Sequence, residues 1–476
     1  MPRYKLIGYL SGPLLFFILL LLPLEWPNPI IQKVLAIGAW MIVWWITEVV
    51  SLSVTALIPL TIFPLLGVMD FATAAKNYAS PIVFLFFGGF VLALAIEKVN
   101  LHKRIALNII RLTGTSPNRI ILGFMISTAA LSMWISNTAS TVVMLPIAIS
   151  VIRLLIQDAD GFTKNDRNFA LSLMLGIAFS ANIGGTATLI GTPPNTVLVG
   201  FMAKEYDIEL SFVNWMLMAL PFMWFMLFLN YLVLVKWLFP NRLENFESSK
   251  EVIQLEIDKL GSIHKAERMV LAVFALVAGL WIFRAPINSL FQENLFSDAG
   301  ISMLGALLLF SLPVNMKEGT FILHWDDTQK LPWGILILFG GGLALASGMA
   351  QAGIIDLIGD AISVYKDNPF FISSLSIFVV LFLTELMSNV ALVNIFIPVL
   401  AGIAIGLNIP ILYLAIPATL ASSCAFMLPM ATPPNAIVFA SGHVKVYQMA
   451  KAGIVLNLIA VVLLIILAKT LVPALF

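Results

Sequence analysis

Ser136-Asn137-Thr138 interrupts the apolar run Ile126–Ser150, and Ser388-Asn389-Val390 interrupts another, Phe370–Ile405. The second triplet lies 252 residues beyond the first (388 − 136). The same spacing carries Phe87-Gly88-Gly89 onto Phe339-Gly340-Gly341 and Pro146 onto Pro398. Downstream, Thr192-Pro193-Pro194-Asn195 returns as Thr432-Pro433-Pro434-Asn435, at a spacing of 240 (432 − 192). The missing 12 residues (252 − 240) fall at or near the polar loop Gln157–Arg167, which the second copy lacks. The chain reads as two copies of one unit, each with two polar interruptions inside apolar sequence.

Composition supports that reading. Of 476 residues, 60% are hydrophobic and 11% charged, with a mean hydropathy of +1.01. Soluble domains carry about a quarter charged residues. Apolar runs of roughly 17–25 residues, enough to span a bilayer as helices, recur from end to end. A net charge of +1 lacks the basic footprint of a nucleic-acid partner. Cys424 is alone and permits no internal disulfide. His102, His264, His324 and His443 are scattered, without metal-ligand spacing. No polar stretch is long enough to bury a second, soluble core. Arg3 and Lys5 precede the apolar stretch Leu10–Leu24, but no small-residue cleavage site follows, so a retained first helix is expected.

The expected fold is an all-α polytopic membrane protein with about 11 transmembrane segments, built as two inverted-topology repeats. Residues 1–29 hold the first helix and 30–239 the first repeat, with a re-entrant hairpin at about 120–153 and a broken helix at about 169–202. Residues 240–268 form a cytoplasmic linker, where Ile253, Ile257 and Leu260 share one face of an amphipathic helix. Residues 269–476 form the second repeat, with a hairpin at about 370–405 and a broken helix at about 411–440. The hairpins follow from length. Ile120–Arg153 as one helix would measure about 50 Å against a hydrocarbon core of about 30 Å. Two half-length arms with the polar triplet at the tip fit better, and irregular backbone at that depth needs protein or a wet cavity around it. Placing the N-terminus in the cytoplasm and the C-terminus outside puts most of the 26 Lys and Arg on the cytoplasmic side of a plasma (inner) membrane.

The interruptions offer short oxygen and amide side chains: Ser136, Asn137, Thr138, Thr192 and Asn195, then Ser388, Asn389, Thr432 and Asn435. Broken helices expose N–H groups at half-helix starts, which suit an anion, and carbonyls at half-helix ends, which suit Na⁺. No Lys or Arg lies in either hairpin tip or either Thr-Pro-Pro-Asn break. Two helix starts at roughly half a charge each supply about +1, leaving a dianion about one charge short and favouring co-bound Na⁺. Glu48, Glu97 and Glu385 lie at or near apolar segments. Glu48 and Glu97 sit near expected helix ends, which suits a paired structural role, whereas Glu385 is placed to brace the second tip. The glycine runs at 88–89 and 340–342 lack the strand–turn–helix setting of a phosphate loop and read as close helix packing.

At these motifs the chain resembles the divalent-anion:sodium symporter family (solute carrier family 13 and its bacterial dicarboxylate relatives). The resemblance runs from Trp45-Ile46-Thr47-Glu48 to the last helix. It implies a homodimer with a scaffold part and a mobile transport part that shifts across the bilayer like an elevator. It implies a first Na⁺ site at Ser132, Ser136, Asn137 and the Gly191 carbonyl, and a second at Thr384, Asn389 and the Met387 and Ala431 carbonyls. Substrate carboxylates would meet Ser136, Asn137, Thr138, Thr192, Pro193, Ser388, Asn389, Thr432 and Pro433, beside Val390. Val390 departs from the threonine of the family triplet, and Ala391-Leu392-Val393 is more apolar than the usual run. The implied activity is Na⁺-coupled symport of a C4-type dicarboxylate such as succinate, malate or fumarate. Na⁺-independent dicarboxylate exchange, or citrate or sulfate as substrate, are the alternatives on the same fold. Isolated polar islands at two depths argue against a channel, whose polar stripe would be continuous. The tips lack the nucleophile–base pair or metal ligands an intramembrane enzyme needs.

Overall fold

Where a chain is too apolar to be solvated, its peptide groups must bond to one another, and helices do this within a single segment. The computed structural model describes residues 3–114, 116–156, 163–243, 247–291, 295–365 and 369–476, and these are overwhelmingly helical. Among the described residues, eight helices are long and apolar enough to cross a membrane. The one sheet among the described residues is a two-stranded ribbon, Pro313–Asn315 against Thr320–Phe321.

Buried apolar side chains fall into two clusters. The smaller joins the N-terminal helices Arg3–Leu21 and Pro29–Thr47 and the short helices Leu52–Thr55 and Ile58–Leu65 to one face of Trp333–Ala352. Trp45 and Phe63 are fully buried there. The larger cluster holds the hairpins, the broken helices and the remaining spans. The glycine runs mark close approach, as expected. A Cβ on Gly88 would lie 2.6 Å from the Ser302 backbone, and one on Gly340 would enter the Tyr78 side chain.

Both polar triplets and both Thr-Pro-Pro-Asn motifs stop a helix and start another. In the first copy the hairpin arms are Pro117–Ser132 and Asn137–Ile156, and the broken helix is Lys164–Gly185 followed by Pro193–Glu205. In the second they are Pro369–Leu383 and Asn389–Gly406, then Leu412–Ser422 and Pro433–Ala440. Paired prolines open each second half-helix, where a missing N–H costs nothing and φ is already helical. The second arm of each hairpin packs against the other copy's half-helix: Asn137–Ile156 meets Pro433–Ala440, and Asn389–Gly406 meets Pro193–Glu205. Of the loop assigned to the length difference, 157–162 lies outside the described residues. The helix that follows is about twice as long in the first copy as in the second, so much of the difference resides there.

The linker holds the helix Glu247–Leu260, with Ile253 buried. It is fastened by the basic helix Leu101–Thr113. Lys103 bonds Glu256 at 2.8 Å, and Arg104 bonds Glu267 at 2.5 Å and the Gly261 carbonyl at 3.0 Å.

Candidate functional site

In the first copy the Ser132 hydroxyl lies 2.5 Å from Asn137 Oδ1 and 2.7 Å from the Ala181 carbonyl. A hydroxyl carries one hydrogen, so one of these short O···O approaches holds no proton. A small cation among the three oxygens relieves that approach, as does an Asn137 amide turned to present its Nδ2. The pocket is glycine-lined. A Cβ on Gly185 would lie 2.5 Å from Asn137 Oδ1, and one on Gly191 would lie 2.5 Å from the Gly185 carbonyl. Hard oxygen donors packed this closely, with no amine nearby, suit a cation such as Na⁺.

The second copy repeats the arrangement. Thr384 Oγ1 lies 2.7 Å from Asn389 Oδ1 and 2.6 Å from the Ser422 carbonyl. The loops of the two breaks match as well. Asn195 Nδ2 donates to the Gly185 and Thr188 carbonyls at 3.3 and 2.8 Å. Asn435 Nδ2 donates to those of Ala425 and Leu428, each at 3.1 Å and each 240 residues on. Both asparagines are fully buried, so these bonds fix carbonyls that would otherwise be orphaned in the membrane. Beside the oxygen sets the second copy has Ala425 and Ala431 where the first has Gly185 and Gly191.

One side chain ties the copies together. Asn182 Nδ2 lies 3.2 Å from the Ala425 carbonyl, 3.1 Å from Thr432 Oγ1 and 3.4 Å from Asn435 Oδ1. The repeat comparison missed it because its counterpart, 240 residues on, is Ser422. The only sequence signal was a lone buried amide in an apolar run.

The remaining motif residues divide by exposure. Ser136 and Thr138 are exposed, Asn137 half-buried, and Thr192 and Thr432 each only 4% exposed. Pro193 is half-buried and Pro433 exposed. Ser136 Oγ accepts from the Ala139 N–H at 3.1 Å. Ser388 precedes the helix at Asn389 without capping it through its side chain. Met387 and Val390 are half-buried and touch both apolar clusters, so the valine that stands for a threonine packs at the seam between them. Four helices begin at the interruptions, at Asn137, Pro193, Asn389 and Pro433, rather than the two counted from the sequence. At roughly half a charge each these starts supply about +2, which the four helix ends at the same interruptions offset by about −2. Four helices also end there, and it is their carbonyl ends that make room for cations.

Glu385 is 3% exposed and does brace the second tip, by accepting from the N–H groups of Phe426, Met427 and Leu428. Glu48 is exposed, and its contribution is a backbone carbonyl that accepts from Lys5 at 2.9 Å. Glu97 forms no ion pair among the described residues; its neighbour Lys98 pairs with Asp327 at 2.7 Å. Cys424 is buried packing, its thiol directed at the Leu420 carbonyl.

Interrupted helices that gather starts, ends and matched oxygen sets inside a helical membrane protein define a secondary transporter, not an enzyme. A family profile described as the sodium:sulfate symporter transmembrane region matches residues 5–476, and the chain belongs to that family. It is 39% identical, over 98% of its length and 92% of the relative's, to a protein of Staphylococcus saprophyticus named sodium-dependent dicarboxylate transporter SdcS. It is 38% identical, over 98% and 91%, to the protein of that name from Staphylococcus aureus. The fold is similar to the YdaH transporter of Alcanivorax borkumensis, with a TM-score of 0.59 at 13% identity over 84% of this chain and 87% of that one. It is also similar to MtrF of Neisseria gonorrhoeae, with a TM-score of 0.54 at 12% identity over 98% and 94%.

Proposed function

We propose that the chain carries C4-type dicarboxylates across the plasma membrane together with Na⁺. The observation that carries this reading is the matched pair of oxygen sets, Ser132–Asn137–Ala181 and Thr384–Asn389–Ser422, each beside a helix start that suits a carboxylate. The relatives named as sodium-dependent dicarboxylate transporters support the choice of a dicarboxylate over sulfate or citrate. In this reading Ser132, Ser136, Asn137 and Gly191 hold one Na⁺. Thr384, Met387, Asn389 and Ala431 hold the other. The two carboxylates sit over the tips and breaks, at Ser136, Asn137, Thr138, Thr192, Pro193, Ser388, Asn389, Val390, Thr432 and Pro433.

The two copies are inverted, with the N-terminus inside and the C-terminus outside, and two chains pair as a homodimer. The part that moves comprises the hairpins and broken helices, and the small N-terminal core belongs to the part that stays. The first break is buried, whereas Met430, Pro433 and Ala436 in the second face open space. With that orientation the conformation opens the site toward the cytoplasm, and its inverted counterpart opens it outward.

Uptake of labelled succinate into proteoliposomes tests the reading. Uptake follows an inward Na⁺ gradient, is competed by malate and fumarate, and is insensitive to sulfate. Asn137→Ala and Asn389→Ala each abolish it while the purified protein stays folded. Equal uptake in Na⁺ and choline selects Na⁺-independent exchange instead.

A further inference from the structure

The last span, Val446–Lys469, ends where the first arm of the second hairpin, Pro369–Leu383, begins. There the Lys469 ammonium lies 3.7 Å from the centre of the Phe370 ring. Beside this pair is a cavity of about 190 Å³, walled by Phe370, Ile377, Tyr413 and Ile465 and reached by Ser374 and Lys469. Its polar groups are graded by depth. Lys469 is exposed at the helix end, and no carboxylate among the described residues pairs with it. Ser374 is four residues further along the arm than Phe370, about 6 Å of helix. Its hydroxyl is buried and has no partner among the described residues. Ile465 lies a similar distance back from Lys469, and Ile377 lies deeper still along the arm.

A lysine at the end of a span keeps its ammonium at headgroup level while its stem lies along apolar surface. The cavity beneath Lys469 is then at the depth of acyl chains, and apolar walls of this kind exclude water. A cation, then an unpartnered hydroxyl, then an apolar wall is the order of phosphate, glycerol ester and acyl chain in a phospholipid. We propose that this groove binds one anionic phospholipid of the surrounding bilayer. Its phosphate meets Lys469, an ester carbonyl accepts from Ser374, and one acyl chain runs along Ile377 and Ile465. The Phe370 ring holds the ammonium over the groove. A zwitterionic lipid offers the same tails, but its own cation competes with Lys469 for the phosphate. Bound there, the lipid fastens the base of the arm that leads to Thr384 and Asn389, whichever ions the chain carries.

The purified full-length protein in neutral detergent, titrated with dioleoylphosphatidylglycerol or dioleoylphosphatidylcholine, tests the site. Native mass spectrometry counts bound lipids and melting curves read their stabilising effect. Phosphatidylglycerol saturates at one tight lipid per chain and raises the melting point, and phosphatidylcholine binds more weakly. Lys469→Gln weakens the phosphatidylglycerol midpoint by about fivefold, the weight of one lysine beside anionic lipid, and leaves that of phosphatidylcholine unmoved. Lys469→Arg retains the preference. Ser374→Phe fills the groove and removes saturable binding of both lipids; should it fail to fold, the Lys469 variants decide alone. Asp367, two residues before Pro369 and outside the described residues, is the nearest carboxylate in sequence, and Asp367→Asn keeps the preference. Equal binding of the two lipids overturns the proposal, as does a phosphatidylglycerol midpoint unmoved by Lys469→Gln or a preference lost in Asp367→Asn. Chains that associate more weakly after Ser374→Phe would assign the groove to a contact between two copies, which overturns it too.

Discussion

Asn182, on the first broken helix, donates its amide to Thr432 Oγ1 at 3.1 Å in the break of the second, and its 1% exposure leaves no water to take that place. The bond makes one copy's interruption depend on the other's. Asn182→Leu strands the buried Asn435 side-chain oxygen and leaves the Ala425 carbonyl only its bond from Asn435, a loss of about 1–3 kcal/mol. Ser423, next to the counterpart Ser422, has a buried hydroxyl without a partner among the described residues. Ser423→Ala therefore leaves thermal stability near that of the unaltered protein, whereas Asn182→Leu lowers it. Melting curves of the two purified variants in one detergent check the contrast, and equal losses would show that the cross-link carries no special weight.

Gly185 makes a second asymmetry testable. A Cβ there would stand 2.5 Å from Asn137 Oδ1, inside the first oxygen set. The second copy already has alanine at the matching position, so its set is built to accommodate one. Gly185→Ala should weaken Na⁺ binding to the first set by roughly tenfold or more, because one bad contact in a small cation cage displaces a ligand or the ion. Na⁺-dependent stabilisation against heat, titrated in the absence of substrate, reads this directly. A Gly185→Ala protein with an unchanged Na⁺ response would place the first site elsewhere.

Most of this architecture is legible in the chain because membrane burial makes polar residues informative. Ser136-Asn137-Thr138 stands out in an apolar run, and its return at Ser388-Asn389 locates the second tip without any structure. The helix starts at Pro193 and Pro433 follow from the proline pairs. What the sequence conceals is carried by backbone atoms. The Ala181 and Ser422 carbonyls complete the oxygen sets, yet any residue type would supply them. The count of four helix starts instead of two depends on where the arms begin at Asn137 and Asn389, which triplet spacing does not reveal. Glu385 was visible as a brace, but the three N–H groups it accepts from lie 41 to 43 residues away.

Val390 offers a test of selectivity. It stands where the first triplet has Thr138, and it packs at the seam between the two apolar clusters. Val390→Thr restores a hydroxyl of nearly the same shape beside the Asn389 helix start. Hydroxylated acids such as malate should then compete better against succinate than they do for the unaltered protein. Unchanged competition profiles would assign Val390 to the seam alone and remove it from the pocket.

The linker predicts a pH response. Hydrogen bonds from Lys103 and then Lys259 hold the Glu256 carboxyl below the usual carboxylate range. A folded value below the unfolded one stabilises the docked helix above the unfolded pKa of about 4.5, and that contribution fades as pH falls through the folded value. The stability difference between the unaltered protein and Lys103→Gln should therefore be full near neutrality and shrink in acid. Thermal melts at a series of pH values check the slope. A difference that grows in acid would show that another group controls the docking.

Lys204 supplies the test of motion. It ends the half-helix Pro193–Glu205, and its ammonium bonds the buried Asn77 amide oxygen and the Ser347 hydroxyl. Ser347 in turn donates to Glu205, which lies 3.8 Å from Lys204. Ser347 lies on Trp333–Ala352, one face of which packs in the small N-terminal core, so the cluster joins a broken helix to the part proposed to stay still. Sliding one past the other must part these groups, and an ammonium that has exchanged part of its hydration for these acceptors resists losing them. Lys204→Met should loosen this conformation. Spin labels on Pro193–Glu205 and Trp333–Ala352 should then report a broader spread of distances without substrate, and substrate should narrow it. An identical distribution in both proteins would mean the cluster lies within one rigid part, and the boundary between moving and fixed helices would have to be drawn on the other side of Trp333–Ala352.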